Sequence, residues 1–190
     1  MQTLKRSDIE IMAPVGSYES LMAAIQAGAN SVYFGIEMLN MRARSSNNFT
    51  TEDLANIVKI CNEHGIKSYL TVNTIIYDKD METLHKVMKA AKDNNVSAII
   101  ACDIAAIQCA IEYGVEVHIS TQLNISNTQA VRFFSQYADV VVLARELNLM
   151  QVKEIYKAIQ DEHICGPKGE LVKLEMFCHG ALCQAISGKC

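Results

Sequence analysis

Residues 175–190 bring together several side chains that can perform chemistry. Glu175, His179, Cys183 and Cys190 lie in this stretch, and Cys178 directly precedes His179. Carboxylate and imidazole groups transfer protons, and thiolates bind soft metals or take part in redox reactions. Clustered cysteines in a chain without a secretion signal favour metal or redox chemistry over disulfide bonds. The segment therefore predicts a metal or redox centre beside acid–base groups.

A second group of polar side chains lies at the carboxyl ends of the predicted strands, where barrel enzymes place their active sites. As catalytic candidates we take Glu175, His179, Arg145 and His118. The candidates for substrate binding are Asn40, Arg42, Arg44, Asn73, Gln122, Asn124 and Glu146. Such a ring suits a small anionic ligand or a nucleotide. The structural alternatives are helix caps, a local Arg145–Glu146 ion pair and a hydrogen-bonded barrel histidine.

The elements that must position these groups alternate between strand and helix. Apolar segments rich in Val and Ile predict strands at residues 9–15, 31–36, 67–73, 97–102, 116–121, 139–144 and 171–177. Amphipathic segments between them predict helices, with Ser17, Asp80, Asn127 and Asn148 as N-caps. Asn148 is followed by Gln151 in a capping-box pattern.

This alternation predicts an α/β fold with right-handed βαβ units and a parallel sheet. The segment after the first strand lacks a G-x-G-x-x-G fingerprint, which favours a TIM-like barrel over a doubly wound sheet. A complete barrel has eight strands, whereas the chain supplies about seven in 190 residues. We therefore expect residues 1–190 to be the N-terminal part of a barrel domain, truncated before its eighth strand.

Composition limits the possible partners and compartments. The net charge of −4 provides no overall attraction for RNA or an anionic membrane. No apolar run is long enough to cross a bilayer, and residues 1–10 are too polar for a secretory signal. The expected location is the cytoplasm, with no membrane contact.

No hydrolytic motif is present in the sequence. The G-x-S-x-G, H-E-x-x-H and P-loop patterns are all absent. Cys178 and His179 are neighbours, but adjacent strand residues point to opposite faces, so a Cys–His pair would need irregular backbone.

Residues 175–190 resemble the signature of the peptidase U32 family, approximately Glu-x-Phe-x-His-Gly-Ala-x-Cys followed after a short spacer by Ser-Gly-x-Cys. The residues that match are Glu175, Phe177, His179, Gly180, Ala181, Cys183, Ser187, Gly188 and Cys190. Further resemblance covers residues 13–19, 40–44, 118–124 and 143–147, and so extends over most of the chain.

The resemblance implies two kinds of activity. The family is named for a collagenase-like peptidase, while other members are iron–sulfur proteins that hydroxylate a pyrimidine in tRNA or rRNA or act in ubiquinone synthesis. In those members two cluster cysteines match Cys183 and Cys190, and the other two lie downstream. The resemblance thus implies a 4Fe–4S cluster in the intact protein, with half of its ligands beyond this chain.

Three alternatives remain for the cysteines and for the barrel. Cys178, Cys183, Cys190 and His179 offer a Cys₃His set for zinc, although their spacing matches no common zinc motif. A second alternative is that Cys183 and Cys190 are two unrelated reduced thiols. A third alternative is that the barrel is a non-catalytic partner or dimer subunit in a hydroxylation complex. Because no nucleophile is convincingly placed, the sequence favours RNA hydroxylation over proteolysis.

Overall fold

The computed structural model describes residues 5–36, 39 and 49–180. The strands are β1 (Met12–Pro14), β2 (Ser31–Phe34), β3 (Lys67–Val72), β4 (Ala98–Ala101), β5 (Val117–Ile119), β6 (Val140–Val142) and β7 (Lys173–Glu175). The helices are α1 (Tyr18–Gln26), α2 (Thr51–Glu63), α3 (Met81–Asp93), α4 (Ile104–Tyr113), α5 (Thr128–Phe134) and α6 (Leu149–Asp161). Within these ranges no helix is long and apolar enough to cross a bilayer.

The strands form one parallel sheet in sequential order, with β1 and β7 at its edges. Right-handed crossovers between sequential parallel strands place the helices on the same side of the sheet. The other side becomes the concave inner face of an open barrel. The described part of the chain thus confirms the predicted α/β barrel class and contains the seven predicted strands.

The two faces of the sheet differ in composition because successive residues of a strand point to opposite sides. On the outer face, buried aliphatic residues such as Leu70, Ile99 and Val141 pack in the main core beneath the helices. On the inner face, Tyr69 and Ile100 belong to a separate small cluster with Ala98, against which Met12 and Tyr33 pack. The outer face therefore stabilises the fold, and the inner face is available for polar groups.

All four expected residues occupy N-cap positions, and three of them cap the helix through the side chain. The side chains of Ser17, Asn127 and Asn148 accept hydrogen bonds from backbone N–H groups in the first turns of α1, α5 and α6. Asp80 is the N-cap residue of α3, but its carboxylate makes no capping bond there and instead accepts a 3.1 Å hydrogen bond from the backbone N–H of Tyr77. This bond caps the 3₁₀ turn at Asp78–Asp80, which directly precedes α3.

Several strands are shorter than expected, and β5 shows why. The predicted strand continues to Thr121, but Thr121 begins a 3₁₀ turn that runs to Leu123. Asn124 then adopts a left-handed conformation with φ of 55°. The turn moves Gln122 and Asn124 out of the sheet and into the loop that leads to α5.

Candidate functional site

Two aromatic rings form the centre of the inner face. The ring centroids of Tyr69 on β3 and His118 on β5 are 4.7 Å apart, and the planes are tilted by 52°. Both residues are only 4% exposed. They meet because β4 between them supplies the small residue Ala98 opposite Tyr69 and pairs Ile100 with His118.

Tyr69 is held by a carboxylate and a lysine at the amino end of the barrel. Its hydroxyl donates a 2.6 Å hydrogen bond to Glu10, and the ammonium group of Lys67 contacts the same carboxylate at 2.6 Å. Burial opposes ionisation of Glu10, but the hydrogen bonds from Lys67 and Tyr69 outweigh it and lower the pKa of Glu10. Glu10 is therefore a stable anion that fixes the tyrosine hydroxyl.

His118 also lies beside a carboxylate that a lysine contacts. Its Nε2 lies 3.5 Å from Oε1 of Glu116, two residues earlier on the same face. The ammonium group of Lys168 contacts the other oxygen of Glu116. The imidazole of His118 and then the lysine lower the pKa of Glu116 to about 2, against the effect of burial.

Three carboxylates act on the hydroxyl of Tyr69. Burial and the hydrogen bond to Glu10 raise the pKa of Tyr69, and the charges of Glu116 and Glu175 raise it further. Tyr69 is therefore a permanent hydrogen-bond donor to Glu10, and an anionic tyrosinate is disfavoured.

Glu175 is the candidate acid–base residue of the inner face. It ends β7, where it pairs with Val142. Burial, with a smaller effect of the Glu10 charge, raises the pKa of Glu175 to about 7. The described residues give its carboxyl group no hydrogen bond or ion pair that would offset the burial. Near neutral pH this carboxyl group can both give and take a proton.

His118 has one buried nitrogen without a partner. Nδ1 of His118 makes no hydrogen bond within the described part of the chain. Buried polar atoms are nearly always hydrogen-bonded, and an exception calls for an explanation such as a bound ligand or water.

The mouth of the barrel holds several of the other predicted residues. Arg145 follows β6, and its guanidinium carbon lies 5.9 Å from the ring centroid of Phe177, just beyond Glu175. Gln122 accepts a hydrogen bond from the hydroxyl of Ser120. Asn124, Arg145 and Glu146 are exposed, and Asn73 is half-buried directly after β3. The structure thus brings His118 and Glu175 to the inner face, and places Arg145 at the rim.

The remaining predicted residues lie elsewhere. His179 and Cys178 are exposed after the end of β7, in irregular backbone. Asn40, Arg42, Arg44, Cys183 and Cys190 lie outside the described residues. Within the ranges that are described, His, Cys, Asp and Glu side chains form no group of three or more that could hold a metal ion. The proposed cluster ligands therefore rest on the sequence alone.

The sequence did not reveal one of the two rings, Tyr69, or the charged residues around both rings, namely Glu10, Lys67, Glu116 and Lys168. The available signal was the spacing of Lys67 and Tyr69, and of Glu116 and His118, two apart within apolar strands. Residues two apart share a face of a strand, so a charged residue paired with a ring in this way indicates a polar inner face.

The fold and this inner face define a (β/α)-barrel protein with a polar, ring-lined interior. The sequence profile of Peptidase family U32 matches residues 16–190. The chain therefore belongs to this family. A solved U32 peptidase, Mk0906, has the same fold with a TM-score of 0.67 and 15% identity, over 93% of this chain and 70% of that one.

Relatives with assigned names fall into two groups. The chain is 67% identical to a protein of Porphyromonas gingivalis named collagenase, over 97% of this chain and 44% of that protein. It is 35% identical to tRNA hydroxylation protein P1 of Bacillus subtilis, over 95% of this chain and 41% of that protein. It is 31% identical to the 23S rRNA 5-hydroxycytidine C2501 synthase of Escherichia coli, over 99% of this chain and 27% of that protein. The chain thus spans less than half the length of these relatives.

Proposed function

We propose that this chain forms the substrate-binding barrel of an enzyme that hydroxylates a nucleobase in tRNA or rRNA. The observation behind this proposal is the inner face itself. The buried rings of Tyr69 and His118 share this face with Glu175, which lies nearer the carboxyl ends of the strands and has no hydrogen-bond partner among the described residues. Enzymes that modify RNA take a base out of its stack and hold it by aromatic contacts and by hydrogen bonds to its edge.

The names of two relatives support this substrate class. Proteins that are 35% and 31% identical to the chain are named for hydroxylation of tRNA and of 23S rRNA. Arg145 at the rim, together with Arg42 and Arg44, would contact RNA phosphates or a small anionic co-substrate. These local cations would offset the net charge of −4.

An iron–sulfur cluster is the cofactor we propose for the intact protein. Cys183 and Cys190 are thiolate donors of the type that binds such clusters, and two more thiolates would come from outside residues 1–190. When bound, a cluster supplies one-electron redox chemistry. The inner-face residues would orient the base, with Glu175 holding or releasing a proton at its carboxyl group.

A peptidase is the second candidate, because the relative named collagenase is 67% identical. Two cysteines can be excluded as its nucleophile. A peptidase needs an activated nucleophile or a metal-bound water with a base nearby. Burial raises the pKa of Cys102 to about 11 and that of Cys61 to about 11, so neither is an active thiolate.

Two assays separate these functions. Nucleosides from tRNA and rRNA would be compared by mass spectrometry between the parent strain, a strain lacking the gene and the same strain with the gene restored. Loss and recovery of one hydroxylated pyrimidine supports the proposal. An unchanged nucleoside profile, together with cleavage of gelatin by the purified full-length protein, would replace it with the peptidase.

A further inference from the structure

The contacts around His118 fix more than its position. Glu116 lies beneath the imidazole, with 3.5 Å between its Oε1 and Nε2 of His118. Lys168 contacts the second oxygen of Glu116 from the loop that precedes β7. The side chain of His118 is 5% exposed, and its other nitrogen, Nδ1, has no partner among the described residues.

The charge of Glu116 decides which nitrogen of His118 has the proton. An ionised carboxylate only accepts hydrogen bonds, so the nitrogen that faces it is favoured as the N–H donor. In a neutral imidazole the remaining nitrogen is then an acceptor. Nδ1 therefore presents a lone pair inside the barrel, which only an N–H or O–H donor can satisfy.

We propose that Glu116 and Lys168 are positioning residues that hold the proton of His118 on Nε2, so that Nδ1 accepts a hydrogen bond from an N–H or O–H group of the substrate. The identity of that substrate as a nucleobase rests on the proposed function. The assignment of the proton rests on geometry within this chain.

Lys168 is well placed to keep the carboxylate charged and oriented. Its backbone N–H donates a 3.0 Å hydrogen bond to Oδ1 of Asp139, which fixes the loop. Lys168 and Glu116 also line an open groove of about 560 Å³ near the amino ends of β5 and β6. Lys92 lines the same groove, but its ammonium group binds the carbonyl oxygen of Gly114. Lys92 is therefore a matched control for Lys168.

The first test needs no substrate. Nitrogen NMR of the full-length protein with ¹⁵N-labelled histidine rings distinguishes a protonated ring nitrogen from a bare one, and the His118→Gln variant assigns the signals. We expect a protonated Nε2 and a bare Nδ1 in the unaltered protein at neutral pH. Glu116→Leu removes the charge and should move the proton toward Nδ1. Lys168→Met should have a smaller effect in the same direction, because Glu116 then loses the contact that orients it, and Lys92→Met should have none. A proton on Nδ1 in the unaltered protein would overturn the inference.

The second test uses the geometry of amide side chains. Asparagine at position 118 can place its carbonyl oxygen near the former Nδ1, whereas glutamine places its amide near the former Nε2. In a strain lacking the gene, we expect His118→Gln to restore about tenfold less hydroxylated nucleoside than His118→Asn, the loss of one hydrogen bond to substrate. Equal restoration by the two variants would contradict an acceptor at Nδ1.

Failure of this inference and failure of the proposed function would give different results. If the ring has its proton on Nε2 but RNA nucleosides are unchanged in the deletion strain, the proposed function fails and the positioning role stands. If the proton lies on Nδ1, the positioning role fails whatever the nucleoside assay gives.

Discussion

The hydroxyl group of Tyr69 donates a 2.6 Å hydrogen bond to Glu10, which lies 59 positions earlier in the chain. This bond joins the segment before β1 to β3 on the inner face, across the intervening strand β2. The ring that it anchors contacts His118, so the bond also determines where the centre of the inner face lies.

Replacing Tyr69 with phenylalanine tests this anchor. The variant keeps the ring and removes the hydroxyl, so the free energy of unfolding should fall by about 1–2 kcal/mol. Urea denaturation of the two proteins measures the change. Tyr156→Phe is the matched control, because Tyr156 is 52% exposed, and it should change stability little. Equal stability of Tyr69→Phe and the unaltered protein would show that the hydrogen bond is not formed in solution.

Glu175 should make stability depend on pH. Its pKa is about 7 in the folded chain, against an ordinary value of 4.5. Between these two pH values the folded state therefore binds more protons than the unfolded state. Stability attributable to this group therefore falls as pH rises through that window. As the pH rises from 5 to 8, the unfolding free energy of Glu175→Gln should therefore increase by about 1–3 kcal/mol relative to that of the unaltered protein.

Urea denaturation at the two pH values measures this gain, with Glu170→Gln as a control for an exposed carboxylate in the adjoining loop. A Glu175→Gln variant whose stability follows that of the unaltered protein at both pH values would mean that Glu175 ionises normally. The proton-transfer role of this residue near neutral pH would then lose its basis.

Gly166 should be intolerant of any side chain. A Cβ atom at this position would lie 2.8 Å from Cα of Asp139, closer than such atoms approach in proteins. Because the obstacle is backbone, we expect Gly166→Ala to lower the unfolding free energy by about 1–3 kcal/mol. Gly180→Ala is the control, since its Cβ would meet no atom within 4 Å. If both variants melted at the same temperature, the loop would have to be looser than the structure shows.

Some of the fold could be predicted from local sequence, because each element has local signals. Ser17 and Asn148 precede amphipathic segments, and both cap helices. Asp80 also precedes its helix as predicted, but its carboxylate bonds within the preceding turn, as an aspartate can equally do. Thr121 shows a different limit of local signals, because its β-branched side chain predicts a strand and the chain instead enters a 3₁₀ turn.

The site could be predicted only in part, for a different reason. His118 and Glu175 were found because they are reactive residues near strand ends. Glu10, Lys67 and Lys168 were missed because their partners are set by sheet register and by loops. The ammonium group of Lys168 reaches Glu116 from 52 positions away, and no local pattern encodes that contact. Long-range pairing of this kind requires the structure.

The iron–sulfur proposal predicts a colour and a metal content. Anaerobically purified full-length protein should be brown, with about four irons per chain. The Cys183→Ala, Cys190→Ala double variant should be colourless, and Cys178→Ala should keep the cluster. Visible absorbance with iron and sulfide analysis measures all three proteins. A colourless unaltered protein, even after reconstitution with iron and sulfide, would exclude the cluster and return zinc to consideration.

We propose that the inner face of this barrel acts on an RNA base. Nucleoside mass spectrometry tests this in a strain that lacks the gene and is complemented with the unaltered protein, with Glu175→Leu or with Glu154→Leu as an exposed control. We expect the unaltered and control proteins to restore one hydroxylated pyrimidine fully, and Glu175→Leu to restore less than about a tenth. Full restoration by Glu175→Leu would contradict a role of the inner face in the reaction.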